Sequence, residues 1–155
     1  MKRMILSCLC IAVALATGAQ TLNKKMGNPT MEEMNMTECA FDKNASAVVL
    51  YEDFNVYVVS IANSLQLEMV CKRRVKVLKE DGLDAANVTL TLRDSKIATG
   101  YHDRLHELKA YAYNLVNGKV EKTKMSNDMV SKKRMNDSFS TTEFTIPQVK
   151  VGTVI

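Results

Sequence analysis

The residues able to do covalent or metal chemistry in this 155-residue chain are few: two histidines, His102 and His106, and four cysteines, Cys8, Cys10, Cys39 and Cys71. On a helix the spacing of His102 and His106 would bring both rings to one face, as two metal ligands require. The segment reads His-Asp-Arg-Leu-His, without the glutamate that follows the first histidine of the zinc-protease signature. It also leads into a predicted strand, where positions four apart do not converge, so both histidines are expected in solvated loop. Nucleophilic catalysis would pair Cys39 or Cys71 with one of them. An activated thiolate needs a helix N-terminus or an adjacent base. Cys71 falls mid-strand among apolar neighbours and Cys39 follows a short polar segment, so neither meets that condition. No cofactor site is expected.

Phosphate chemistry is no better served. Lys72-Arg73-Arg74 with Lys76, and Lys132-Lys133-Arg134, are the basic clusters, and no aromatic residue is interleaved for base stacking. A solvated strand face and a solvated loop are expected there, and no nucleic-acid partner. Gly100, Gly118 and Gly152 are isolated, so no phosphate-cradling loop is indicated. Met31 and Met34, three apart, read as helix packing, not as a soft-metal site. For sugar stacking, the candidates are Tyr111 and Tyr113 on one strand face, where core or cross-strand packing is the competing reading. Sequons at Asn35, Asn44, Asn87 and Asn136 matter only in a eukaryotic secretory pathway and are read as chance.

The elements that must hold these residues begin after an export signal. Lys2 and Arg3 precede an apolar stretch from Met4 to Ala16, and Thr17-Gly18-Ala19 supplies the small residues a signal peptidase accepts. Cleavage is expected between Ala19 and Gln20; a lipoprotein signal ending at Cys8 or Cys10 is the rival. Loss of Lys2 and Arg3 takes the formal net charge from +4 to +2. Cys8 and Cys10 leave too, so the oxidising compartment meets only Cys39 and Cys71. Free thiols are the favoured reading of that pair, and a single disulfide between them is the alternative. No later apolar run approaches bilayer length, so the chain is not expected to span a membrane.

Residues 20–29 read as a lead-in loop ending in Gly27-Asn28-Pro29. Thr30-Met31-Glu32-Glu33 has the spacing of a capping box before a short helix over 31–36. The period then changes to two. Strands are expected over 45–51 and 54–61, with Glu52-Asp53 as the turn between them. In the next strand Leu67, Met69, Cys71, Val75 and Val77 form an apolar face expected to be buried, and Glu68, Lys72, Arg74 and Lys76 a wet one. Asp81-Gly82 reads as a tight turn, 88–92 and 105–115 as strands, and Asn117-Gly118 as a type I′ hairpin turn before a strand over 120–125. Residues 126–141 read as polar loop, and 142–146 and 149–155 as the last strands. Seven or eight strands in one unit over 30–155 indicate an all-β sandwich. The strand-like end at Val149–Ile155 reads as a domain incomplete at its C-terminal side.

The ordered motifs are distinctive together: Thr30-Met31-Glu32-Glu33; Ala45-Ser46-Ala47-Val48-Val49-Leu50-Tyr51; Arg74 to Gly82; Ala112 to Lys119; and Phe144 to Ile155. In that order they resemble the N-terminal domain of unknown function that precedes a transglutaminase-like core in exported bacterial proteins, notably of Bacteroidetes. The resemblance spans about residues 26–155. It implies an immunoglobulin-like β-sandwich, location in the periplasm or at the cell surface of a Gram-negative bacterium, and a downstream papain-like core as partner. The Cys-His-Asp triad of that family belongs to the core, and no segment here matches it. The function expected is therefore non-catalytic, structural or interactive, with a free-standing glycan- or peptide-binding module as the alternative.

Overall fold

The structure is a computed structural model that describes residues 22–96 and 102–155. The expected signal peptide, its cleavage site at Ala19–Gln20, Cys8, Cys10 and Gly100 lie outside the described residues. Within them the chain is all-β apart from one short α-helix and two 3-10 turns. Its elements are α1 (Met31–Asn35), β1 (Ala47–Ile61), β2 (Ser64–Val77), β3 (Asn87–Arg93), β4 (Tyr111–Val116), β5 (Lys119–Lys124), β6 (Val130–Arg134) and β7 (Phe139–Thr145).

Every strand pairing is antiparallel: β1 with β2, β4 with β5, and β3, β7 and β6 in that spatial order. The chain's last residues join the first two pairs. Val75 exchanges both backbone bonds with Ile155, at 2.9 and 2.7 Å, and Val77 N–H donates to Thr153 O at 2.9 Å. Val154 exchanges its own two bonds with Tyr113 at 2.8 and 3.0 Å. Residues 153–155 thus lie between β2 and β4, giving one sheet in the order β1-β2-(153–155)-β4-β5. The strand expected over 149–155 is shorter than its pattern suggested. Gln148 and Gly152 have φ of 59° and 90°, which turns the chain before pairing begins.

The five-strand sheet has two differently covered faces. Its inner face contributes Ala112 and Ile155 to a core shared with Phe144, Ile146, Val88 and Leu90 of the three-strand side. Its outer face carries Tyr113 and Val154, against which Met34 of α1 packs. The capping box of α1 is formed: Glu33 N–H donates to Thr30 Oγ1 at 3.1 Å and Thr30 N–H to Glu33 Oε2 at 2.6 Å. A five-residue helix cannot persist in water on local bonds alone, so Met34 docking and the polar contacts described below are what order it.

Several expected boundaries are corrected. Glu52-Asp53 is not a turn: β1 runs unbroken through it, and the reversal falls at Ala62-Asn63, both at positive φ (50° and 62°). The carboxylates are tolerated mid-strand because Glu52 stands opposite Arg73 and Asp53 opposite Lys72. The strand expected over 105–115 starts only at Tyr111, because β5 passes into the turn at 127–129 and leaves residues 105–109 without a ladder partner. The polar segment 126–141 contains β6, whose Ser131, Lys132 and Lys133 suit the exposed edge strand they form. Asn117-Gly118 makes the expected turn, with φ of 50° and 76°.

Asp81-Gly82 lies in a 3-10 turn, Glu80–Ala86, and Gly82 is needed for a close approach, not for positive φ. A Cβ there would sit 2.1 Å from the Ser46 carbonyl oxygen, which already accepts from Leu78 N–H at 2.8 Å and Lys79 N–H at 3.0 Å. Relieving the clash means breaking those bonds. Gly82→Ala is expected to destabilise the fold by about 3 kcal/mol, the upper end of overpacking costs, read as a lower urea midpoint with unchanged m. A midpoint equal to that of the unmodified chain would contradict the close approach.

Candidate functional site

The β1–β2 hairpin is far longer than the body that supports it. Beyond Glu52 and Arg73 the two strands continue to the turn at Ala62-Asn63 as a two-stranded arm. On one face of the arm the cross-strand pairs are Phe54–Cys71, Val56–Met69, Val58–Leu67 and Ser60–Leu65. Seven of those eight side chains are apolar and none is charged. The six large ones are 52 to 78% exposed. The opposite face is mixed, with Asp53, Asn55, Gln66, Glu68 and Lys72 beside Tyr57, Val59 and Val70.

Period-two geometry relates the apolar face to the core. Residues 65, 67, 69, 71, 73, 75 and 77 of β2 lie on one side, and Val77 of that series is fully buried. The arm's apolar face is therefore the inner face of the sheet, prolonged past the point where the other sheet covers it. Where cover ends there is an open cleft of about 450 Å³, with Val48, Val49, Arg73 and Val75 on one wall and Asn87 and Val88 on the other. Arg73 crosses to Glu52, its Nε donating to Oε1 at 2.8 Å, and this exposed pair marks the limit of the covered region.

The assignment of faces in β2 is thus corrected. Leu67, Met69 and Cys71, expected inside, are exposed, while Arg74 and Lys76, expected wet, are 3% and 0% exposed. The alternation is as expected; what differs is cover, which the inner face lacks on the arm and the outer face gains at the base. There Arg74 Nη1 donates to Glu33 Oε1 at 2.7 Å and to Asn23 O at 2.9 Å, and Nη2 donates to Lys25 O. Lys76 Nζ donates to Met34 O at 2.7 Å and Gly152 O at 2.6 Å. Both cations are fastened to the chain itself, which leaves Lys72 and Arg73 as the exposed members of the basic cluster, with Arg73 paired to Glu52. Burial among carbonyls pulls the Lys76 ammonium below the usual lysine value of 10.5.

The other residues singled out from sequence do not converge. Cys39 is buried and Cys71 exposed on the arm, and both are free, so the alternative of a Cys39–Cys71 disulfide is not realised. His106 is exposed in the irregular segment after His102. His102 Nδ1 lies 3.4 Å from Asp94 Oδ1, and Arg134 reaches the same carboxylate at 3.0 Å and Lys132 at 4.0 Å. Desolvation works to raise the Asp94 pKa, but Arg134, His102 and Lys132 together hold it below the usual carboxylate value. Among the described residues no group of three His, Cys, Asp or Glu is placed to hold a metal ion. Tyr111 and Tyr113 are neighbours, with ring centroids 6.2 Å apart, yet they make no open platform: Tyr113 is buried and Lys122 Nζ sits 4.0 Å above the Tyr111 ring. In the second basic run Arg134 also donates to Asp94 O at 2.8 Å, while Lys132 and Lys133 are exposed on β6.

The arm was the feature hardest to see from sequence. Its signal was the matched length of two alternating runs about Ala62-Asn63-Ser64, where Asn readily takes positive φ.

Two outcomes follow from the buried cations. Glu33→Gln keeps a side chain able to serve the capping box but leaves the Arg74 charge buried without its counter-ion. A loss of about 2–3 kcal/mol is expected in urea unfolding, below the usual cost of breaking a buried pair because Glu33 is 14% exposed. Adding Arg74→Met should restore part of it. For Lys76 the folded pKa lies below the unfolded value, so between the two the unfolded chain binds the extra proton. Stability should rise as pH climbs through the folded pKa towards 10.5, and Lys76→Met should remove that component of the slope. Identical pH profiles for the two proteins would refute the burial argument.

No family model matches this chain, and no curated protein or solved structure is significantly similar to it.

Proposed function

We propose that this chain is an exported, non-catalytic β-sandwich module of immunoglobulin-like type that works by binding protein through its β1–β2 arm. The exposed apolar face of the arm carries this reading. Two-stranded hairpins are marginal in water unless a third layer or further strands cover an apolar face. Here seven apolar side chains lie in register on one face and the large ones are more than half exposed. A contiguous exposed apolar patch of this kind marks an interaction surface far more often than a scatter of single residues does. The two-sheet arrangement with a shared core supports the sandwich type, and the motif order from Thr30 to Ile155 supports a likeness to the domain that precedes a transglutaminase-like core. On that likeness the module acts in the periplasm or at the surface of a Gram-negative cell, and its work is to hold protein, not to transform a substrate. The glycan-binding alternative is less well supported, because Tyr113 is buried and Lys122 covers Tyr111.

The reading is tested by placing a photo-crosslinking phenylalanine analogue at Val56 or Leu67 in the chain expressed in cells, with Thr91 on the opposite sheet as control. Irradiation should give a protein adduct, identified by mass spectrometry, from the arm positions and not from Thr91. Equal yields at all three sites would sink the proposal. So would a purified chain that hydrolyses or cross-links peptides and loses that activity when its thiols are alkylated.

A further inference from the structure

We infer that the occupant of the arm's apolar face is a second copy of this chain, so that two arms pack face to face in a two-fold dimer. The inference rests on the binding-module reading above and names its partner.

Size comes first. The six large residues, together with Cys71, leave roughly 700 Å² of exposed, mostly apolar surface in one strip, above the roughly 300–600 Å² of the largest patch on an ordinary monomer. Two such strips pressed together bury at most about 1,400 Å², which clears the roughly 1,000 Å² expected of a biological interface and sits at the low end of the standard size.

Charge comes second. In a two-fold interface the same patch faces itself, so any charge on it meets its own kind. From Phe54 to Leu65 the face carries none: its one polar side chain is Ser60, and the nearest ions, Glu52 and Arg73, already neutralise each other at the base. A partner chosen by charge would need a charged counterpart here. A self-complementary surface needs neutrality, and the strip is neutral.

Shape is the third point. The face is a two-stranded ribbon with matched strands and no bulge beyond the one between Val49 and Tyr51. Two such ribbons stack as sheets do, about 10 Å apart with side chains interleaved. With the arms antiparallel, each uncharged turn at Ala62-Asn63 lies toward the base of the other arm, near its Glu52–Arg73 pair. The opposite face of each arm carries Asp53, Glu68 and Lys72 and stays wet, so association closes at two copies and does not grow into a stack.

The experiment is sedimentation of the purified chain over a hundredfold range of concentration, with Val58→Asp/Leu67→Asp as the disrupting variant. The unmodified chain should sediment as a monomer–dimer equilibrium, and the double variant should weaken it by about a hundredfold or more, since each charge would be buried against its own copy. Val58→Thr/Leu67→Thr keeps strand propensity and should weaken it less, which guards against a misfolded aspartate variant. Tyr57→Lys, on the opposite face and across from Glu68, should leave the dimer intact. Dimers that survive both arm variants overturn the inference, because another surface would then hold them. A chain that stays monomeric throughout also overturns it. If that monomer binds phosphatidylcholine vesicles through the arm, the occupant is lipid. If arm-specific adducts with a different protein form in cells, the binding-module reading stands and only the second copy is wrong; a monomer that gives no arm-specific adduct removes both.

Discussion

Two cations on the outer face of β2 hold the ends of this fold to its middle. Arg74 gathers Asn23 O, Lys25 O and Glu33, all from the segment before and within α1. Lys76, two residues along, takes Met34 O at the end of that helix and Gly152 O at the turn before the last strand. Charged side chains are not buried for stability as such, since an apolar pair of equal volume often does as well. What they contribute here is address. Backbone carbonyls at a helix end and in a turn have no ladder to satisfy them, and a buried ammonium or guanidinium offers several donors at one place. The five-residue helix is too short to order itself, so it depends on that anchorage together with Met34 docking, whereas residues 153–155 are held mainly by backbone bonds to β2 and β4, with Lys76 fixing the turn before them.

Fixing which way Arg74 and Lys76 point also fixes everything else on β2. Side chains alternate without exception along a strand that has no bulge, and the irregularity in this pair lies between Val49 and Tyr51 of β1. With 74 and 76 outward, 75 and 77 enter the core, and 65, 67, 69 and 71 must continue on that same side. The exposed apolar strip on the arm is thus the core face of the sheet carried beyond its cover. It is not a separate feature added to a finished domain.

That coupling explains what the sequence revealed and what it concealed. Alternation identified the strand over Val88–Leu92, the capping box marked α1, and Asn117-Gly118 located a turn and with it the returning strand expected over 120–125, because each is decided by neighbours within a few residues. The all-β class followed from those local signals. Cover is different: it depends on what another part of the chain places over a face. Leu67 and Lys76 sit on strand faces of the expected kind, yet their burial is reversed, since α1 lies over one and nothing among the described residues lies over the other. Glu52-Asp53 misled for a related reason. Two carboxylates suggest a turn until Arg73 and Lys72 are known to stand across from them. The candidate site suffered most, because it consists of absent cover, and its members, Phe54 to Leu65, are ordinary strand residues one by one.

An uncovered arm has a thermodynamic consequence that reaches back into the fold. The arm's ladder bonds are intact, but its apolar face gains little from folding while it faces water, so its stability falls well short of that of the base, where Val77 and Lys76 are buried. Anything that binds the folded arm and not the unfolded chain adds to its stability in proportion to occupancy. The arm is therefore the part of the molecule whose order a bound partner would raise, while the base is held by Glu33, Arg74 and Lys76 through contacts within the chain. The exposed Glu52–Arg73 pair sits at the boundary between the two regimes. It contributes little energy where it is, but it ends the apolar strip on a neutral pair, with Arg73 also lining the open cleft beside Val88.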